Sequence, residues 1–444
     1  MAATAWAVRH GRGVVCRIAY PHNGASSSVE DEPAGVTGPR RALVSTTGGQ
    51  VLQRKSCASM GAALPWTRQL KHVTPVEGVS SMNLPSISDP VQVGQTATGM
   101  RDRHVSSFKE LTQKVQQAGL MKRRYGFYWT SMGVAAAAVA GIVVGMSFVG
   151  HSWWQLLFAA ALGVVLSQLG FLGHEAAHRQ IFKSHRWNDW TARVLSTLLV
   201  GLSYGWWMNK HSRHHANPNK VLKDPDINNK AIAFTVEAAE ARTGLGAKLA
   251  TRQGWFFLPL LLLEGLSLHV SSVRYLLTSP LAKQRPVEIA FLSLRLVGYL
   301  AIVFWLLPPG IAAGFIGVQL AVFGFLLGGA FAPNHIGMPI VPADVKIDFL
   351  RRQVLMSRNI SGGRLTRFFM GGLENQVEHH LFPMMARPNL RRAQLIVREH
   401  CREHGISYTE TSLVGSYRSI LGYLNQVGLK NRDAFACPLV QQFR

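Results

Sequence analysis

Cysteine and acidic residues are scarce in this sequence, and each shortage excludes a class of protein. The four cysteines, in a chain of 444 residues, are Cys16, Cys57, Cys401 and Cys437. Their spacing fits neither a disulfide framework nor a zinc knuckle. Asp and Glu number 23 against 47 Lys and Arg, which gives a net charge of +24. Because the basic residues lie in tails and in loops beside apolar segments, we expect an anionic membrane surface, and not nucleic acid, as their partner.

The first 95 residues lack any sustained apolar periodicity. They are rich in Ala, Ser, Thr, Gly and Arg, and acidic residues are sparse among them. Such a segment cannot bury a core, so we expect disorder. It has no apolar run long enough for a secretory signal, and its composition is typical of an organelle transit peptide. We therefore divide the chain into a transit peptide over residues 1–95, a membrane domain over 96–410 and a C-terminal tail over 411–444.

Apolar sequence is abundant and comes in long blocks. Hydrophobic residues make up 48% of the chain, and about 20 consecutive apolar residues suffice to cross the hydrocarbon core. Two shorter stretches, 191–207 and 255–270, are interpreted as interfacial or half-buried helices. The four blocks long enough to span are residues 126–150, 154–173, 287–307 and 311–332.

The basic residues support a topology with four spans. Lys and Arg flank the blocks at one end only, and the two tight hairpin loops carry none. Four spans therefore place every basic loop on one side of the membrane, as the positive-inside rule requires. Arg295 is an exception inside the third block, and such a residue either faces the bundle interior or snorkels. The predicted fold is an all-α integral membrane protein with four transmembrane helices.

Histidines cluster at the basic side of these blocks, in the segments GHEAAH, HSRHH, PNH and QVEHH. Spacings of three and four residues place the side chains of a segment on one face of a helix. The four-span topology puts all four segments on the same side of the membrane. The residues that they present to one cavity are His174, His178, His211, His214, His215, His335, Gln376, His379 and His380.

Nine candidate ligands indicate two metal ions, because one zinc ion needs only three or four. Imidazole binds zinc, iron, copper and nickel. Two redox metals at the mouth of a helical bundle indicate iron and O2, since zinc does not change valence. A di-iron oxidant takes hydrogen from an unactivated CH2 group, and the membrane location implies a lipid-soluble substrate.

Two other interpretations use the same histidines. HEAAH matches the H-E-x-x-H pattern of zinc proteases, in which Glu175 would be the base. That interpretation leaves the other clusters unexplained, and Asp224 and Asp226 lie in a polar loop. A non-catalytic metal carrier needs ligands along a path through the spans, whereas these lie on one side.

The boxes GHEAAH, HSRHH and QVEHH, in this order and around these spans, resemble the membrane fatty acid desaturase family over roughly residues 100–410. Gln376, in place of the first His of the third box, resembles the front-end subgroup. The resemblance implies a same-side helical cap that holds the di-iron site. It also implies that a cis double bond enters an acyl-lipid chain on the carboxyl side of an existing one, at Δ5 or Δ6. A hydroxylase or related oxygenase on the same scaffold would share every box and stays an alternative.

The resemblance also assigns roles to single residues. The eight histidines become iron ligands, His335 as the family's extra histidine, and Gln376 takes a ligand position directly or through water. Glu175 and Glu378 are candidates to orient ligand imidazoles, and Asn334 is a weaker one. The paired tryptophans at 206 and 207 either line the acyl slot or anchor the interface. Two histidines, at positions 185 and 269, lie outside the boxes and are unassigned.

The chain has no HPGG haem motif, so we expect no fused cytochrome b5 domain, in contrast to many front-end relatives. Electrons should then come from a separate donor, either ferredoxin in a plastid or free cytochrome b5 elsewhere. We expect a chloroplast membrane, with the metal site on the stromal side and glycerolipid acyl groups as substrate.

Overall fold

The structure is a computed structural model that describes residues 106–228 and 231–429. The predicted transit peptide and the last residues of the predicted tail lie outside these ranges. Helices dominate the described part, interrupted by a π-helix (Arg193–Val200), a 3-10 turn (Leu373–Asn375) and two short strands, β1 (Asn359–Ser361) and β2 (Glu410–Ser412). The α-helices are α1 (106–117), α2 (Tyr125–Val149), α3 (Gln155–Ala177), α4 (His185–Ala192), α5 (Tyr204–Ala216), α6 (Val236–Glu240), α7 (Gly244–Ala250), α8 (Gln253–Thr278), α9 (Arg285–Leu306), α10 (Pro309–His335), α11 (Phe349–Leu355), α12 (Arg364–Met370), α13 (Gln376–Leu381), α14 (Arg387–Glu403) and α15 (Leu413–Gly428).

Within the described ranges, five helices are long and apolar enough to cross a membrane: α2, α3, α8, α9 and α10. Four of them coincide with the predicted blocks. The outer faces of α2 and α9 are apolar, with Phe148 85% and Trp305 84% exposed. Apolar surface of this extent is incompatible with water and suits lipid. The chain is therefore an integral membrane protein.

The fifth helix, α8, is longer than the sequence predicts. The apolar stretch 255–270 lies inside a helix of 26 residues. The apolar run stops near Ser271, but the backbone hydrogen bonds continue through Thr278, since helix length follows backbone pairing and not hydrophobicity. Pro259 lies within α8 without ending it. A helix of this length has the size of a span, so the interpretation as a short interfacial helix is wrong about its extent.

The other short stretch, 191–207, is not one helix. The chain passes from α4 directly into the π-helix, and this helix ends at Gly201. The φ of Gly201, 93°, lies in the left-handed region that favours glycine. Ser203 then caps α5 by accepting a hydrogen bond from the backbone N–H of Trp206. Nearby, Arg295 donates to the carbonyl of Leu199 at 2.7 Å, so this intramembrane arginine faces the bundle.

Two glycines let α8 and α10 pack closely. A Cβ atom on Gly324 would lie 2.2 Å from the backbone nitrogen of Gly265, and one on Gly265 would lie 2.4 Å from the carbonyl oxygen of Leu320. Only residues without a side chain permit backbones to come this near. The contact holds α8 beside the C-terminal half of α10, which ends at His335.

A second core lies in the cap, where α1, α11, α13 and α14 pack together. Its members are buried apolar residues such as Leu111, Val354, Val377 and Val397. This core holds α13, the helix that carries the third histidine box. The folded part continues beyond residue 410, because α15 packs against α8 and the side chain of Asn425 accepts a hydrogen bond from the backbone of Gly254.

Candidate metal centre

The structure brings all nine predicted residues together at the end of the helical bundle. His174 lies in the last turn of α3 and His178 caps that helix, α5 carries three histidines, α10 ends at His335, and α13 supplies the rest. The histidines form two groups. In each group, the nearest ligand atoms all lie within 4.8 Å of one another. The five-histidine group is His174, His178, His211, His215 and His379, and the three-histidine group is His214, His335 and His380.

His211 is the hub of the five-histidine group. Its Nε2 atom lies 2.9 Å from Nε2 of both His178 and His215. It lies 3.2 Å from Nε2 of His174. One ring nitrogen cannot form ordinary hydrogen bonds with three others at once, whereas nitrogens that converge on one point suit a metal ion. Nε2 of His379 is buried without a hydrogen-bond partner among the described residues, and such an atom calls for an explanation.

The side chain of Asp224 orients His214, in the three-histidine group. Oδ2 of Asp224 lies 3.0 Å from Nδ1 of His214 and accepts a second hydrogen bond, of 2.7 Å, from the backbone N–H of Asn219. Burial alone would lower the pKa of His214, but Asp226 and Asp224 outweigh it and raise that pKa. With Nδ1 held by a carboxylate, Nε2 faces the Nε2 atom of His335 at 3.3 Å.

The other two members of this group are oriented in the same way. Nδ1 of His380 lies 2.9 Å from the Oε1 atom of Gln353. Nδ1 of His335 lies 2.9 Å from the carbonyl oxygen of Met356. Each partner accepts a hydrogen bond, so each Nδ1 carries the proton and each Nε2 keeps its lone pair for a ligand. Nε2 of His380 is also buried without a hydrogen-bond partner in the described structure.

Gln376 completes the three-histidine group. Its Nε2 atom lies 2.9 Å from Nε2 of His335, and its Oε1 atom accepts a hydrogen bond of 3.2 Å from Nδ2 of Asn334. The two ends of an amide are assigned from the hydrogen-bond network, and a rotation of 180° would turn the oxygen toward the group. Asn334, predicted as a weaker supporting residue, thus contacts a predicted ligand directly.

The two predicted supporting glutamates contact other partners. Glu175 forms an ion pair with Arg387 at the start of α14. Glu378 accepts hydrogen bonds from Nδ2 of Asn359 at 2.7 Å and from the hydroxyl of Tyr408 at 2.8 Å. Burial raises the pKa of Glu378 to about 7. These glutamates tie the histidine helices to the cap. The side chains that orient imidazoles are Asp224 and Gln353, to which the sequence analysis gave no such role.

Nothing in the sequence singled out Gln353, because it lies in a short helix without a motif. Asp224 stood in the polar segment KDPDIN close to the second box, and that proximity was the available signal. The ring nitrogens of the unassigned His269 both lie near backbone carbonyl oxygens, Nδ1 2.6 Å from that of Gly265 and Nε2 3.3 Å from that of Val200. The other unassigned histidine, His185, is exposed at the start of α4.

Burial favours the neutral form of five of the imidazoles outside the spans. It lowers the pKa of His178 to about 3 and lowers the pKa of His211, His215, His379 and His380 well below the usual value. Metal ions bind the deprotonated imidazole nitrogen, so these side chains are in the form that a metal requires.

A cavity of about 350 Å³ opens next to both groups. His211, His214 and His335 form part of its wall, and the remainder is mostly apolar. The tryptophans at 206 and 207 both line this cavity. The ring of Trp207 also stacks on that of His211, with centroids 4.1 Å apart. Further wall residues from α8 and α10 include Phe257, Leu261, Leu268, Leu327 and Phe331.

Comparison with known proteins finds fatty acid desaturases among the relatives of this chain. An acyl-lipid (9-3)-desaturase of Physcomitrium patens is 30% identical over 285 residues, 61% of this chain and 53% of that protein. The delta(6)-fatty-acid desaturase fat-3 of Caenorhabditis elegans is 28% identical over 356 residues, 77% of this chain and 78% of that protein. The delta(5) fatty acid desaturase fat-4 of the same organism is 28% identical over 366 residues, 78% and 80% of the two chains.

The chain thus spans about half the length of the first relative and more than three quarters of the two nematode proteins. A sequence profile described as fatty acid desaturase matches residues 151–412, more than half of the chain. The matched range includes all nine residues of the two groups. The chain therefore belongs to the fatty acid desaturase family and is an oxidoreductase of that type.

Proposed function

We propose that this protein is an O2-dependent di-iron desaturase of acyl lipids, of the front-end type. The observation that carries the proposal is the convergence of two groups of buried imidazoles at the wall of one apolar cavity. Family membership implies iron, and the donor set fits it. Burial lowers the pKa of His178, His211, His215, His379 and His380 and so favours their neutral, metal-binding form. The buried Nε2 atoms of His379 and His380 have no hydrogen-bond partner in the described ranges. Bound there, two iron ions would supply the O2 chemistry that removes hydrogen from an unactivated CH2 group.

The two groups divide the ligands between the ions. The five-histidine group would hold one ion, and the three-histidine group would hold the other together with Gln376, directly or through water. The chain's own contribution is to fix the imidazoles: Asp224, Gln353 and the carbonyl of Met356 each hold an Nδ1 proton. Outer partners of this kind set the tautomer and the ring orientation.

The cavity is the proposed acyl site. Its apolar wall would exclude water from the methylene groups, and the histidines on one side would face the carbons that react. Relatives named as Δ6, Δ5 and (9-3) desaturases support a new cis double bond on the carboxyl side of an existing one. Gln376 at the start of the third box supports the same subgroup. We infer Δ5 or Δ6 for this chain.

We also propose that four helices cross the membrane and that α8 does not. Gln253, at the start of α8, donates hydrogen bonds to the carbonyl oxygens of Ala233 and Leu424, next to residues that line the cavity. At the other end, only six residues separate α8 from α9. Glu288 in the first turn of α9 accepts a hydrogen bond of 2.6 Å from Ser203 just before α5. Both ends of α8 therefore connect to elements on the histidine side.

The remaining proposals concern partners and location. A separate electron donor, ferredoxin or free cytochrome b5, would approach the basic face that carries the histidines, where an acidic donor is attracted electrostatically. We also propose that the protein lies in a chloroplast membrane with this face in the stroma. The basis is the composition of residues 1–95, which is typical of a transit peptide.

The test is a fatty acid profile. The full chain would be expressed in yeast or a cyanobacterium supplied with linoleic and α-linolenic acid, and new double bonds would be located by mass spectrometry. We expect a double bond on the carboxyl side of the existing ones, lost with His379→Ala and retained with His185→Ala. A hydroxylated product would show the oxygenase on the same scaffold. If an iron-loaded protein forms no product, the proposed acyl substrate is wrong. If the purified protein contains no iron, the proposed di-iron centre is wrong.

A further inference from the structure

A second cluster of metal-ligating side chains lies on the cap, outside the two histidine groups. It joins α1 to the C-terminal end of α14 through Glu110, His400 and His404. The nearest ligand atoms of these three residues lie within 4.8 Å of one another. His400 and His404 are four residues apart, so they project from one face of the helix end, toward α1.

One ring nitrogen of His400 and one of His404 face the carboxylate of Glu110. Nδ1 of His400 lies 3.9 Å from Oε1 of Glu110, and Nε2 of His404 lies 3.7 Å from Oε2 of the same side chain. Tetrahedral zinc, with bonds of about 2.0–2.1 Å, places its ligand atoms about 3.4 Å apart. The observed separations exceed this by about half an ångström or less, a difference that side-chain rotation can close.

The opposite nitrogens are already bonded. Nε2 of His400 lies 3.0 Å from the hydroxyl of Ser107, and Nδ1 of His404 lies 2.9 Å from the backbone carbonyl of His400. His400 is 0% exposed, and its Nδ1 atom has no hydrogen-bond partner among the described residues. A buried nitrogen that faces a carboxylate across 3.9 Å without a hydrogen bond leaves room for a bridging cation.

We propose that Glu110, His400 and His404 bind one zinc ion that fastens α1 to α14. Two imidazoles and one carboxylate form a donor set that zinc uses, with a fourth position for water. The side chain of Glu110 is 47% exposed, which leaves the fourth position open to solvent. The ion would stabilise the contact between α1 and α14, two helices of the cap that holds α13.

Lys114 is the internal competitor for this site. Its Nζ atom lies 2.8 Å from Oε1 of Glu110 and 3.0 Å from Oε2 of Glu403. The ammonium group thus neutralises Glu110 when no zinc is bound, and it can stay with Glu403 when Glu110 turns to the metal. Because a neighbouring positive charge opposes a divalent cation, removing it should strengthen zinc binding.

The experiment is a zinc titration of the full-length, iron-loaded protein in detergent against a chromophoric chelator, with iron measured in every sample. We expect one equivalent of zinc in addition to the iron. His404→Ala and Glu110→Gln should weaken this binding by more than about 10-fold, since even outer partners of a metal site contribute that much. Exposed His185→Ala is the matched control and should bind as the parent protein does. Lys114→Gln should tighten binding by about 3-fold or more.

Substitution of cobalt for zinc provides a second test, because a cluster that is only a packing contact would bind no Co²⁺. Co²⁺ in the site should show the visible absorption of a tetrahedral ion, present in the parent and Lys114→Gln proteins and absent in Glu110→Gln. If zinc binds equally in the His404→Ala and His185→Ala proteins, or if the parent takes up no equivalent beyond iron, the site does not exist. If Lys114→Gln weakens binding, the cluster is a packing contact and the proposal is wrong. The iron content separates these outcomes from a failure of the catalytic centre.

Discussion

The two histidine groups are built differently, although they share one cavity. Four members of the five-histidine group come as two pairs with a spacing of four residues, one pair at the end of α3 and one on α5. The members of the three-histidine group come from three different helices, and a side chain or backbone oxygen holds each ring. Local helix geometry thus prepares most of the first group, whereas the second depends on tertiary contacts and on an amide, Gln376.

The largest effect is expected from the hub of the five-histidine group. His211→Ala removes the nitrogen on which His174, His178 and His215 converge. We expect no detectable desaturation and a loss of at least one of the two iron ions, because no other donor among the described residues lies at that position. Product analysis and iron content of the purified protein provide the test, with His185→Ala as control. Retained activity would exclude His211 as a ligand.

A smaller effect is expected from the amide of the three-histidine group. Gln376→Leu places a slightly shorter, apolar side chain there and removes the oxygen and nitrogen that face His335 and Asn334. If Gln376 acts through water or only weakly on the metal, product formation should fall by about 10- to 100-fold while iron is largely retained. Unchanged turnover would show that three histidines suffice for this group, and complete loss of one iron ion would make Gln376 a direct ligand.

The outer partners should matter next. Asp224→Asn keeps the shape but removes the charge that fixes Nδ1 of His214, and we expect iron affinity to fall by about 10-fold. Asp226→Asn is the matched control: its carboxylate lies 3.3 Å from the same Nδ1 atom but is 39% exposed and also pairs with Lys210. It should have the smaller effect. Iron retention during dialysis against a chelator ranks the two variants, and the reverse order would reassign the orienting role.

The smallest effect on the histidine groups is expected from a change at the close contact between α8 and α10. Gly324→Ala places a methyl group against the backbone of Gly265, and overpacking of this kind costs about 1–3 kcal/mol. The wall of the cavity should be displaced while the five-histidine group stays intact. Thermal unfolding in detergent should show a lower Tm than for Gly317→Ala, a position on the same helix where an added Cβ meets nothing within 4 Å. Equal Tm values would mean that the close approach carries no stability.

The sequence alone was sufficient for the family, for the four apolar blocks and for all nine residues that the structure brings together. Residue type and helical spacing carry this information, because imidazoles four residues apart must share a face. The sequence did not determine the length of α8, since polar residues such as Ser271 and Arg274 end an apolar run without ending a helix. Nor did it identify the partner of Glu175, which is Arg387 on a helix more than two hundred residues away.

Only the tertiary structure decided how the predicted ligands divide between the two groups. His214 and His215 are adjacent in the chain but belong to different groups, and so are His379 and His380. Neighbours on a helix point about 100° apart, so adjacent histidines face different centres once α5 and α13 are packed against α3 and α10. The sequence therefore determined which side chains converge, and the packing of the helices determined how they divide between the two groups.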